Sequence, residues 1–143
     1  MITTSKRLLL LLLLGTLTAG CAASSARGAS SSVASCGPPH VVDERANGTT
    51  VQLCVGQTLR IELHSTYWQD VVSSDPSVLA GGSTQAIAPS SPCVPGAGCG
   101  TLVTSLRAAA AGTATVSAHR TTCGEALLCR PGQRSYTLTV TVR

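Results

Sequence analysis

The C-terminal segment alternates without a break: Tyr136, Leu138, Val140 and Val142 interleave with Thr137, Thr139 and Thr141. A period of two puts the apolar set on one face of an extended chain and the threonines on the other, so the segment reads as a half-buried strand with no helical stripe to bury. The same period recurs upstream. Leu59, Ile61 and Leu63 alternate with Arg60 and Glu62; Leu102, Thr104 and Leu106 alternate again, and Ala114, Val116 and Ala118 follow the turn at Gly112. Residues 41–42, 49–53 and 67–72 are further candidates, with Asn47-Gly48 suited to a tight hairpin between the first two. Ser73-Ser74-Asp75-Pro76 reads as a turn closed by its own side chains. Residues 108–111 are too short a run of alanine before Gly112 to be a helix. Six or seven short strands with no helical period predict an all-β sandwich, in which the lone indole, Trp68, supplies core volume rather than a binding surface.

Cysteines constrain the same segment. Apart from Cys21 there are six, Cys36, Cys54, Cys93, Cys99, Cys123 and Cys129, and an even set in an exported chain reads as a disulfide framework. Six thiols leave many pairings open. The equal five-residue gaps between Cys93 and Cys99 and between Cys123 and Cys129 favour two local staples, leaving Cys36 with Cys54 to pin the domain's start to its first strands.

Export is read from the N-terminus. Lys6 and Arg7 precede an unbroken leucine run at residues 8–14, the charged and apolar regions of a secretory signal. The uncharged stretch from Leu8 to Gly20, ahead of Cys21, is 13 residues long, too few for the roughly 20 that span a bilayer. The stretch Leu17-Thr18-Ala19-Gly20-Cys21 resembles the bacterial lipoprotein lipobox, with Thr18 where Leu is commoner. That resemblance implies removal of residues 1–20 as a lipoprotein signal peptide, acylation of Cys21, and a lipid-anchored protein on the outer face of the cytoplasmic membrane. Residues 21–39 then form the anchor and a Ser/Ala-rich tether, and residues 40–143 the folded domain. Plain secretion, with Cys21 an unpaired thiol, is the alternative.

Without residues 1–20 the chain keeps 123 residues, enough for one core. Losing Lys6 and Arg7 lowers the formal charge from +4 to +2. With Tyr67, Trp68 and Tyr136 as its aromatics, the chain has no basic stripe interleaved with stacking rings, which argues against nucleic acid as a partner. Catalysis finds no footing either. There is no G-x-S-x-G elbow, no cysteine is left free for a Cys-His pair once six are bridged, and the six acids are not paired for acid and base work. His119, Cys123 and Cys129 lack the dense spacing of a zinc site, so neither a metal nor a cofactor is expected.

Recognition is expected on loops instead. If the strands hold, three connections share one end: residues 64–67, the stapled residues 92–100, and residues 119–134 with their own staple. Arg120, Arg130 and Arg134 in the last of these form either a surface for acidic partners or a solvated rim.

Residues 55–63, Tyr67-Trp68, residues 73–79 and Ala111-Gly112-Thr113-Ala114-Thr115-Val116 together resemble the chagasin-type cysteine-protease inhibitors, and also bacterial immunoglobulin-like repeats. Both resemblances imply an immunoglobulin-like antiparallel β-sandwich. The inhibitor family blocks its protease with an N-P-T-T-G loop, a Gly-rich loop and a loop with R-P and an aromatic. Here His64-Ser65-Thr66 stands where the first motif is absent, Gly96-Ala97-Gly98 stands for the second, and Arg130-Pro131 for part of the third, with Gly132 in place of the aromatic. The expected binding residues are therefore His64, Thr66, Gly98, His119, Arg120, Arg130 and Pro131. Two functions are carried forward: a lipid-anchored, non-enzymatic envelope-interaction module with a protein partner, and a diverged inhibitor of papain-family cysteine proteases.

Overall fold

A computed structural model describes residues 36–143; the signal at 1–20, Cys21 and the tether residues up to 35 lie outside the described residues. Two sheets face each other. One contains β1 (His40–Val42), β3 (Thr58–Leu63), β7 (Thr101–Ala108), β5 (Leu79–Ala80) and β6 (Thr84–Ile87), the last two both pairing with β7. The other runs β2 (Thr50–Leu53), β11 (Ser135–Val142), β8 (Gly112–His119), β4 (Gln69–Ser73) in spatial order. A short hairpin, β9 (Thr122–Gly124) with β10 (Leu127–Leu128), projects from the connection between β8 and β11.

The period-two residues meet between the sheets. Leu59, Ile61 and Leu63 of β3 are fully buried opposite Val116 of β8 and Leu138 and Val140 of β11, in one continuous core. Trp68 joins that core, its ring edge-on to Tyr136 with centroids 6.4 Å apart. The indole sits just ahead of β4, because the strand opens at Gln69 rather than at residue 67. Residues 109–111 are a turn between β7 and β8.

The Asn47-Gly48 hairpin does not form. A two-residue turn of that kind needs positive φ at both positions, and Gly48 takes φ 76° while Asn47 takes φ −58°. β1 pairs in parallel with β3, β2 pairs in parallel with β11, and a 3₁₀ turn at Glu44–Ala46 carries the chain from one sheet to the other. Asn47 anchors that crossing: its Nδ2 donates to the Ser135 carbonyl at 3.1 Å and its Oδ1 accepts from the Thr137 amide at 2.8 Å. β5 and β6 escape a reading by periodicity for a different reason. β5 has two residues, and every residue of β6 is exposed, so neither carries an apolar rhythm.

The disulfides are Cys36–Cys54, Cys93–Cys99 and Cys123–Cys129. The first, with a hydrogen bond from Gln57 Nε2 to the Pro38 carbonyl at 3.1 Å, fastens the segment ahead of β1 to the sandwich.

Candidate functional site: a braced three-loop end

Antiparallel pairing decides which loops meet. Leu63, the last residue of β3, lies opposite Leu102 at the start of β7, and Gln69 at the start of β4 lies opposite His119 at the end of β8. The connections after β3, before β7 and after β8 therefore emerge at one end of the sandwich.

They are tied to one another. The Thr66 amide of the first loop donates to the Gly98 carbonyl of the middle loop at 2.9 Å. The Tyr67 hydroxyl donates to the Gly96 carbonyl. Gly98, at φ 66°, passes so close that a Cβ there would lie 2.3 Å from the Tyr67 ring, and a Cβ on Gly96 would lie 2.8 Å from the Glu125 side chain of the last loop. Side chains would push these backbones apart, so the glycines let three loops close into one edge.

The expected binding residues divide into three places on this end. Thr66 and Gly98 sit in the brace itself. His64 turns away from it, to the flank: Glu44 of the 3₁₀ turn accepts from both its backbone amide and, at 2.9 Å, its Nδ1. That hydrogen bond, reinforced by the charges of Glu44, Asp43 and Glu62, outweighs partial desolvation and holds the imidazole pKa above 6.5. His119, Arg120, Arg130 and Pro131 gather at the base of the last loop. His119 Nδ1 is 3.6 Å from Asp70 Oδ2. The Arg120 guanidinium lies over the Trp68 ring, 4.3 Å from its centre, and its Nε donates to the Gln133 carbonyl at 2.9 Å. Arg130 and Pro131 are exposed at the start of a second 3₁₀ turn, Pro131–Gln133. Arg134 Nε donates to the Cys129 carbonyl at 2.8 Å and so props the staple from beneath.

Three exposed apolar side chains were not among the expected residues. Val94 of the middle loop is 73% exposed, and Leu127 and Leu128 on the stapled hairpin are 60% and 70% exposed. All three stand on the middle and last loops, while Val41, Val72 and Ile87 are exposed on the strands. The signal was present as an adjacent Leu-Leu pair among the five residues between two bridged cysteines, where no strand-length rhythm gives leucine a core to enter. Cys123 and Cys129 are bonded to each other, so they offer no thiolate to a metal beside His119. Among the described residues no cluster of His, Cys, Asp and Glu is arranged to hold one.

Fold and loops together define a disulfide-stapled immunoglobulin-like sandwich that presents a preorganised edge. No family model matches the chain, and neither does any curated protein. Solved structures do share its fold. The solution structure of amebosin is 20% identical, with a TM-score of 0.55, over 75% of this chain and 100% of that one. The crystal structure of the cysteine protease inhibitor EhICP2 from Entamoeba histolytica is 16% identical, with a TM-score of 0.53, over 74% of this chain and 96% of that one. At these identities the likeness is one of fold.

Proposed function

We propose that the protein is an inhibitor of papain-type cysteine proteases that enters the enzyme's cleft with its braced loop end. The observation that carries this is the hydrogen-bonded tie between the first and middle loops, with Glu125 of the last loop packed against Gly96 and with Val94, Leu127 and Leu128 exposed on the middle and last loops. A protease cleft is a long concave surface, and a rigid convex edge fills it without first having to order its loops, which is the main entropic cost of such binding. Leu127 and Leu128 take the place of the missing aromatic as apolar anchors, and Arg120, Arg130 and Arg134 steer the edge toward acidic rims. The shared fold with the cysteine protease inhibitor EhICP2 supports this reading over a general envelope-interaction module.

We further propose that the domain is exported and lipid-anchored through Cys21, with residues 1–20 removed, residues 21–39 as anchor and tether, and residues 40–143 as the inhibitory domain. The basic-then-leucine signal and the three disulfides support export.

The test is a titration of soluble residues 36–143 against papain and related cysteine proteases. Reversible inhibition at roughly micromolar or tighter concentrations is expected. Full protease activity at saturating domain would end the inhibitor reading. Mass spectrometry of the mature terminus decides the anchor separately: a Cys21 terminus carrying fatty acid supports it, and an unmodified thiol removes it.

A further inference from the structure

The two hydrogen bonds that the middle loop accepts from the first loop both end inside one staple. The Tyr67 hydroxyl reaches the Gly96 carbonyl and the Thr66 amide reaches the Gly98 carbonyl, and both glycines lie between Cys93 and Cys99. They stand at φ 77° and 66°. Glycine loses more backbone freedom on ordering than any other residue, so two of them among five are costly to hold still. Little else restrains them. Residues 88–100 connect β6 to β7 without a strand or helix, and the turn bond inside the staple runs from the Ala97 amide to the Val94 carbonyl at 3.1 Å. The Cys93–Cys99 bond is therefore the covalent restraint on the half of the brace that the middle loop supplies.

That bond is also open to solvent. Every residue from 81 to 97 is exposed, Cys93 among them, and Cys99 is half-buried. The other staple at this end is shielded. Cys129 is 2% exposed, its amide donates to the Thr121 carbonyl at 2.9 Å, and Arg134 Nε donates to its carbonyl at 2.8 Å. Cys36–Cys54 has an exposed member too, but Cys54 precedes the start of β3, at the pole opposite the braced loops. Thiol–disulfide exchange requires a thiolate to reach one of the two sulfurs, and exposed disulfides are the labile and regulatory ones.

We propose that Cys93–Cys99 is a thiol-sensitive latch: small thiols open it before the Cys123–Cys129 staple, and its opening releases the middle loop from the brace while the sandwich stays folded. With a dithiol, one thiolate attacks the Cys93 sulfur, the bond to Cys99 breaks, and Cys99 leaves as a thiolate. The second thiol of the reductant then displaces Cys93 and closes its own disulfide, so two electrons and two protons end on the pair. The core is untouched, because no residue of 88–100 belongs to it. The latch stands apart from the inhibitor reading, and only its consequence for protease inhibition rests on that reading.

Residues 36–143 are exposed to graded dithiothreitol, blocked with iodoacetamide and mapped by mass spectrometry. Cys93 and Cys99 are expected to take the label at a reductant concentration roughly tenfold below that needed for Cys123 and Cys129. In protein labelled at the Cys93–Cys99 pair and not at Cys123–Cys129, exchange of the Thr66 amide speeds by roughly tenfold or more, while the Leu138 and Val140 amides exchange as in the oxidised domain. Cys93→Ser with Cys99→Ser reproduces the loosened loop without alkyl groups, and the labelled protein decides should that variant not fold. Against papain activated and then freed of thiol, the labelled domain inhibits roughly tenfold more weakly than the oxidised one. An oxidised domain that leaves papain fully active ends the inhibitor reading, and the labelling order and Thr66 exchange still decide the latch. Labelling of Cys123 and Cys129 at the same or lower dithiothreitol, or unaltered Thr66 exchange once the pair is opened, overturns it.

Discussion

The amide of Thr66 and the carbonyl of Gly98 are 2.9 Å apart, and this one hydrogen bond joins the loop that follows β3 to the loop that precedes its antiparallel partner β7. Each loop also has a turn bond of its own, from the Ser65 amide to the Leu63 carbonyl at 2.9 Å and from the Ala97 amide to the Val94 carbonyl at 3.1 Å, but neither of these crosses to the other loop. The brace therefore depends on how closely the two backbones approach, and closeness here depends on the absence of a side chain at Gly98.

Gly98→Ala tests that dependence. The new methyl would sit 2.3 Å from the Tyr67 ring on a backbone at φ 66°, a conformation that costs a non-glycine residue about 1–3 kcal/mol. Urea unfolding is expected to show a loss in that range, with faster amide exchange at Thr66. Gly81→Ala is the control. Nothing lies within 4 Å of a Cβ there, and stability should move by less than about 0.5 kcal/mol. Equal behaviour of the two variants would mean the loops are not held by their contact.

Leu127→Ser with Leu128→Ser should leave the fold intact, because both side chains stand in water and outside the core. Circular dichroism and melting temperature are expected to match the parent. Inhibition of a papain-type protease is expected to fall by about a hundredfold, as removing two anchoring side chains costs on the order of 2–4 kcal/mol of binding. A double variant that inhibits as well as the parent would place the contact elsewhere on the loop end.

The three disulfides should separate into two roles. Cys36–Cys54 closes 18 residues of chain and ties the segment ahead of β1 to the strand region, so replacing both by serine is expected to cost about 3 kcal/mol. Cys123–Cys129 closes six, for which the loop-closure argument gives about 2 kcal/mol. Its removal should show chiefly as faster hydrogen exchange in β9 and β10 and weaker inhibition. A larger global loss from the short staple than from the long one would contradict this division.

The His64–Glu44 contact sets a pH dependence. The folded imidazole has its pKa raised above 6.5 by the Glu44 hydrogen bond, so its stabilising contribution is complete below the unfolded value and disappears as pH climbs through the raised folded value. With His64 largely exposed the effect is modest and salt-sensitive. An NMR titration is expected to place the His64 midpoint above 6.5 and to bring it down in Glu44→Gln. An identical midpoint in both proteins would dissociate the pair.

Much of the framework was already written along the chain. Tyr136, Leu138, Val140 and Val142, like Leu59, Ile61 and Leu63, announced their buried face because a strand's side chains alternate whatever the strand pairs with. The two short staples were legible for a related reason: five intervening residues already hold two thiols near bonding distance. What depended on distant partners was not legible. Asn47-Gly48 had the composition of a hairpin, yet Ser135 and Thr137, far along the chain, recruited Asn47 and sent β2 to the other sheet.

The same division runs through the functional end. Local order along the chain determined the strands, the staples and the identity of the loops, since backbone periodicity and short-loop closure act between neighbours. Only the tertiary structure decided that Thr66 meets Gly98, that Arg120 covers Trp68, and that Leu127 and Leu128 remain in solvent. Each of these joins segments that pairing and packing brought together across the sandwich, and no local property of either segment specifies where the other will lie.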